Sequence, residues 1–177
     1  DKLQKEYKFQ EFQKLLPIEK SKVYNDLGNS CLKEISTSDK VFLDLRKQIS
    51  DFIAQGKYGQ VIEKTGTIVV YGKANANDFN TLGFSYIMTK QYSKAIKSLK
   101  EGEKLDDSDL LIQMNLAHAY MLNDNFKMAK PIHNKYQSQN VNDTLSWTQK
   151  VKLDFGTFEK AGLPSNDFKR VLKLLED

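Results

Sequence analysis

Two stretches of this chain repeat each other at a spacing of 34 residues, and an internal repeat restricts the possible folds more than any composition can. In the first stretch Phe79, Leu82, Gly83, Tyr86, Tyr92, Ala95 and Leu99 run in the order aromatic, Leu-Gly, Tyr, aromatic, Ala, large apolar. In the second, Leu116, Ala117, Tyr120, Phe126 and Ala129 fill the same slots, with Gly83/Ala117 and Tyr92/Phe126 as conservative exchanges. The spacing predicts a helix, a turn and a second helix. A small residue on the first helix (Gly83 or Ala117) and another on the second (Ala95 or Ala129) permit close approach, while Leu82, Tyr86, Tyr92 and Leu99 fill the space around them. Each unit leaves an apolar face uncovered, which the next unit covers.

Extending the frame outward gives units 42–75, 76–109, 110–143 and 144–177. In the first, Phe42, Leu45, Ile49, Phe52 and Ile53 mark one helical face and Gln55-Gly56-Lys57-Tyr58 supplies the turn. Its second helix, near Gln60 to Tyr71, contains the β-branched run Thr65 to Tyr71, whose propensity favours strand. Helix is expected there nonetheless, because a lone strand in a helical array has no partner for its backbone groups. In the last unit Trp147 takes the aromatic slot, and Leu145, Val151, Phe155 and Phe158 predict a helix over about 144–161, stopped by Gly162-Leu163-Pro164. Ser165 is expected to cap a final helix carrying Phe168, Val171, Leu172 and Leu175 on one face. Upstream, Leu3, Tyr7, Phe12 and Leu15 predict a helix over 2–16, Pro17 opens another over about 17–35, and Ser36-Thr37-Ser38-Asp39 caps the next. Pro131 lies inside a predicted helix, where a kink is expected.

The residues quoted for 76–143 resemble the tetratricopeptide repeat (TPR) family closely; 42–75 resembles it loosely and 1–41 not at all. The resemblance implies an all-α, right-handed superhelix of stacked helix-turn-helix repeats with capping helices. Its parts would be an N-terminal helical segment (1–41), three TPR-like repeats (42–75, 76–109, 110–143) and a degenerate C-terminal capping pair (144–177). Trp147, Asp154-Phe155 and Ala161-Gly162 are similar to a capping segment that follows TPR pairs in many bacterial repeat proteins, particularly of bacteroidete type. The sequence departs from the family in two respects: Asp107 and Val141 stand where a proline usually closes each unit, and Pro131 falls inside a predicted second helix.

Charge and chemistry narrow the function. Twenty-seven Lys and Arg against 23 Asp and Glu give a net +4, spread evenly: +1 in 1–40 (8 against 7), +2 in 41–143 (13 against 11) and +1 in 144–177 (6 against 5). No basic tail or stripe stands out, so nucleic acid is not the expected partner. Cys31 is the only cysteine, which excludes an intramolecular disulfide, and on a stripe with Val23, Tyr24 and Leu27 it reads as a small core residue rather than a nucleophile. Apolar runs such as Ile68 to Tyr71 fall far short of the roughly 20 residues that cross a bilayer, so a soluble protein of cytoplasm or periplasm is expected. His118 and His133 lack metal-ligand spacing, and His133 sits in a large apolar slot, where a packed structural histidine fits better than a ligand or an acid-base group. Phosphate-binding glycine loops are missing, and Asp106-Asp107-Ser108-Asp109 reads as a turn rather than a calcium loop. Neither a metal nor a cofactor is expected, and the chain reads as a non-enzyme.

In the TPR frame the first helices line a concave groove, which implies candidate partner-binding residues at Phe84, Ile87, Met88, Met114, His118 and Met121. Such a groove is apolar and rich in Met, suited to adaptable recognition of a protein or peptide. The other reading of the same stripe is that capping helices fold back and bury it. The family's receptor for acidic C-terminal peptides falls here on Arg46, Ser50, Thr81, Leu111 and Asn115, too few donors to bracket two carboxylates. The expected function is a non-catalytic interaction module. The alternatives are a regulatory or substrate-recruiting domain of a larger enzyme or complex and, more remotely, an RNA-binding helical repeat.

Overall fold

The computed structural model describes residues 40–163 and 166–176. Expectations for residues 2–39 and for Ser165 as a cap lie outside them. The chain divides into two compact units, 1–44 and 45–177. Of the first, residues 40–44 are described and are helical. The described residues of the second form the helices α1 (45–54), α2 (Tyr58–Val70), α3 (Ala76–Met88), α4 (Tyr92–Leu105), α5 (Leu110–Leu122), α6 (Phe126–Tyr136), α7 (Trp147–Lys160) and α8 (Phe168–Leu174). Among the described residues the protein is all-α, and no helix is long and apolar enough to cross a membrane.

Helix termini follow local chemistry. Asn75 and Asp78 form a reciprocal capping box at the start of α3, and Ser146 and Gln149 form another at α7. The second box starts α7 at Trp147, three residues later than the periodicity predicts, because residues 139–146 fold back on themselves: Val141 N–H donates to Leu145 O at 2.8 Å and Trp147 N–H to Gln139 O at 2.8 Å. Asp109 caps α5 by accepting from the Leu111 and Ile112 amides, and Asp106 accepts from the Ser108 amide and hydroxyl. The acidic cluster is thus occupied with turn chemistry. The ambiguous segment 65–70 is helical, with Thr65 and Ile68 buried and Val70 exposed at its end. Helix α6 runs through Pro131 and ends at Tyr136.

Five turns share one backbone geometry, those at Gly56, Gly72, Lys90, Asp124 and Gly162, and three of them recur at intervals of 34. Gly56, Lys90 and Asp124 are all left-handed (φ 67°, 61° and 56°), and each directs its amide and the next one back onto the preceding helix in the same way. Helices start at 58, 92 and 126 and at 76 and 110, intervals of 34 in every case. Each helix from α2 to α5 packs on its successor, α3 also lies against α5, and α8 touches α6 and α7. α5 is covered all round, with eleven of its thirteen residues buried, the polar Gln113, Asn115 and His118 among them, each with a hydrogen-bond partner.

Gly83 shows how close the α3–α4 approach is. A Cβ there would lie 2.4 Å from Leu99 Cγ. Alanine normally gains about 1 kcal/mol over glycine within a helix, but the overlap with a buried branched side chain exceeds that gain. Gly83→Ala is expected to lower stability by about 1–2 kcal/mol net, and trimming the obstruction with Leu99→Ala in the same chain should remove the specific cost of the new methyl group. Urea unfolding of the four variants in a cycle measures it.

Candidate functional site

Helices α1, α3, α5 and α7 surround an open pocket of about 210 Å³. Its apolar lining comes from Ile53, Phe84, Leu111 and Met114, its polar lining from Asn80, Thr81, Asn115, Lys150 and Asp154. Packing sets each position. Phe84 stands between Tyr58 (ring centroids 5.9 Å apart) and Phe158 (6.4 Å), linking α2, α3 and α7. Arg46 donates to both carboxylate oxygens of buried Asp78, at 3.1 and 2.7 Å, and to the Lys73 carbonyl at 2.9 Å, which ties α1 to the start of α3.

The polar groups are mutually held. Asn115 donates its side-chain amide to the Asn80 side-chain carbonyl at 2.8 Å, a buried contact across α3 and α5. That leaves the Asn115 carbonyl and the Asn80 amide in the pocket lining without a hydrogen-bond partner among the described residues, one acceptor and one donor. Asp154 on α7 bonds His118 Nε2 through Oδ2 (3.3 Å) and accepts from Lys150 Nζ through Oδ1. Burial opposes ionisation of Asp154, yet His118 and Lys150 outweigh it and hold its carboxyl below the usual range. Charge is therefore fixed at the pocket wall, with the imidazole behind it.

Behind the pocket the polar chain ends in aromatics. His118 packs on Phe155 and Phe158 (5.5 and 5.3 Å) and faces His133 at 6.2 Å. His133 Nδ1 accepts from the Trp147 indole at 3.2 Å, which places the imidazole proton on Nε2. Among the described residues His118 Nδ1 and His133 Nε2 have no hydrogen-bond partner. Burial, together with the positive charge that His118 can carry, pushes His133 down to about 3. Because the unfolded side chain binds a proton near pH 6.5 and the folded one does not, stability falls as the pH drops from about 6.5 toward 3, by up to about 1.4 kcal/mol per pH unit. Unfolding free energies measured through that window should show the slope, and His133→Leu, which places at 133 the residue type found at 99, should flatten it.

The six residues implied as an exposed groove are placed differently from that expectation. Ile87, Met114, His118 and Met121 are buried, and Phe84 and Met88 are half-buried against the same core. At His118 the cover is α7, whose Asp154, Phe155 and Phe158 lie against the imidazole, and Phe158 also meets Phe84. Only Phe84 and the edge of Met114 reach the pocket. Arg46 and Asn115, the two clamp positions of the right chemistry, are engaged by Asp78 and Asn80. Lys150 and Asp154 escaped sequence reasoning as pocket residues, although a charged pair four apart on the same face as Val151, Phe155 and Phe158 was a readable signal. His133 packs as its apolar slot required.

Among the described residues no cluster of three or more His, Cys, Asp or Glu side chains is placed to hold a metal ion. The arrangement offers fixed hydrogen-bond donors and acceptors, an anchored ion pair and an apolar floor. No family model and no curated protein sequence matches this chain.

Proposed function

We propose that the chain is a non-catalytic protein-interaction module of TPR type, a right-handed stack of helix pairs that holds a protein or peptide segment at the pocket between α1, α3, α5 and α7. The observation that carries this reading is the 34-residue recurrence of backbone geometry: left-handed turn residues at 56, 90 and 124 and helix starts at 58, 92 and 126. Recurrence of that kind is what stacked repeats require. The pocket then supplies what an extended main chain needs, namely the free donor and acceptor of Asn80 and Asn115 beside the apolar surface of Ile53, Phe84 and Leu111. The bound segment is smaller than an open groove would take, because α7 already covers His118.

A photo-crosslinking residue at position 111, on the pocket rim, is expected to trap a discrete protein partner in source-cell lysate. The same residue at position 153, an exposed site on the outer face of α7, should not. Asn80→Ala with Asn115→Ala, which removes the paired carboxamides, should abolish trapping at 111. Equal trapping at both positions, or trapping indifferent to the asparagines, would overturn the assignment of the site.

A further inference from the structure

A second open cavity, of about 480 Å³, lies between α3 and α4 and shares no lining residue with the pocket described above. Its floor is apolar: Phe79, Leu82 and Tyr86 stand at spacings of three and four along α3, and the Ser98 hydroxyl is spent on the Phe79 carbonyl at 3.0 Å. Its rim is basic, with exposed Lys94, Lys97, Lys100 and Lys104 on α4 against one acid, Glu101, which is paired with Lys104 at 2.6 Å. Four cations against one anion leave a local excess of +3 on a chain whose whole net charge is +4.

We propose that this face docks an acidic amphipathic helix of a partner protein, its apolar stripe on Phe79, Leu82 and Tyr86 and its carboxylates along the α4 lysines. Two features favour a helix. The lysines span eleven residues of α4, ten steps or about 15 Å at 1.5 Å per residue, roughly three turns of a partner laid alongside. Half-buried Phe79 and Tyr86 stand seven residues, about two helical turns, apart with buried Leu82 between them, so a partner with apolar side chains at matching spacing meets both. Single-stranded nucleic acid fits less well, because stacking needs an open ring face and Lys94 Nζ already lies 5.7 Å over the ring of Tyr86. The rim lysines are solvated, so they contribute orientation and rate, and the floor contributes affinity.

The test uses the whole chain and a fluorescein-labelled synthetic helix of Glu, Leu and Ala with Leu on one face. Anisotropy should show saturable binding that weakens about tenfold in Lys94→Glu/Lys97→Glu and falls further as added salt shortens the screening length below about 8 Å. Both substitutions are at exposed positions, and circular dichroism of the double variant checks that its helices are intact. A peptide with Leu replaced by Ala should lose binding. The proposal fails if the double variant binds equally, if a Lys-for-Glu peptide binds as well, or if labelled oligouridylate binds more tightly with the same dependence on Lys94 and Lys97.

Discussion

Replacing Trp147 by alanine is expected to cost about 3–5 kcal/mol, the range for removing a fully buried indole. The side chain has no exposed surface, stacks on Tyr136 at 5.3 Å and meets His133 edge-on at 5.9 Å. Its loss leaves a cavity between α6 and α7 and strips His133 Nδ1 of its donor. The thermal midpoint should fall by about ten degrees or more for a chain of this size. Trp147→Phe keeps most of the volume and loses the hydrogen bond, so the difference between the two variants isolates cavity from donor. As the only tryptophan, Trp147 should also emit in the blue in the native state and shift red on unfolding. Native emission typical of water would contradict its burial.

A carboxylate at position 114 is the second large effect. Met114 is 1% exposed on the central helix. Met114→Glu is therefore expected to destabilise the fold by about 2–4 kcal/mol rather than behave as a surface change. Lys150 is near enough to line the same pocket, but its ammonium is held by Asp154, so a second carboxylate beside that pair meets repulsion as well as burial. Met114→Leu conserves volume and should cost less than about 1.5 kcal/mol. Denaturation of the two variants separates an occupied inner face from an open one: equal midpoints for wild type and Met114→Glu would mean that this face is open in solution.

These residues also show which parts of the fold could be read from the chain. The 34-residue period located the helix pairs because it records packing between sequence neighbours, such as Gly83 against Leu99. Helix is expected over the β-branched run at 65–70 because a lone strand there has no partner for its backbone groups, and the segment is helical with Thr65 and Ile68 buried. The inner face was misread for the complementary reason. Whether His118 meets water depends on where α7 lies, and a period carries no information about a segment that departs from it. The Asp154 to His118 contact joins residues 36 apart in sequence, one on the repeat and one beyond it. A charged residue among Val151, Phe155 and Phe158 hinted at a buried partner without saying which.

The neighbour-to-neighbour packing of α2 to α6 has a kinetic meaning. Helix pairs joined by short turns close small loops, so the entropy of bringing partners together is modest and folding belongs to the fast end of the scale for chains of this length. Stability is then graded along the chain instead of uniform, with α5 flanked by α3, α4 and α6 and covered by α7. Amide protons of α5 should be the last to exchange with solvent. Those of α8, a seven-residue helix without a side-chain cap, should exchange long before, so that the C-terminal end opens and recloses many times in the lifetime of a single folded molecule.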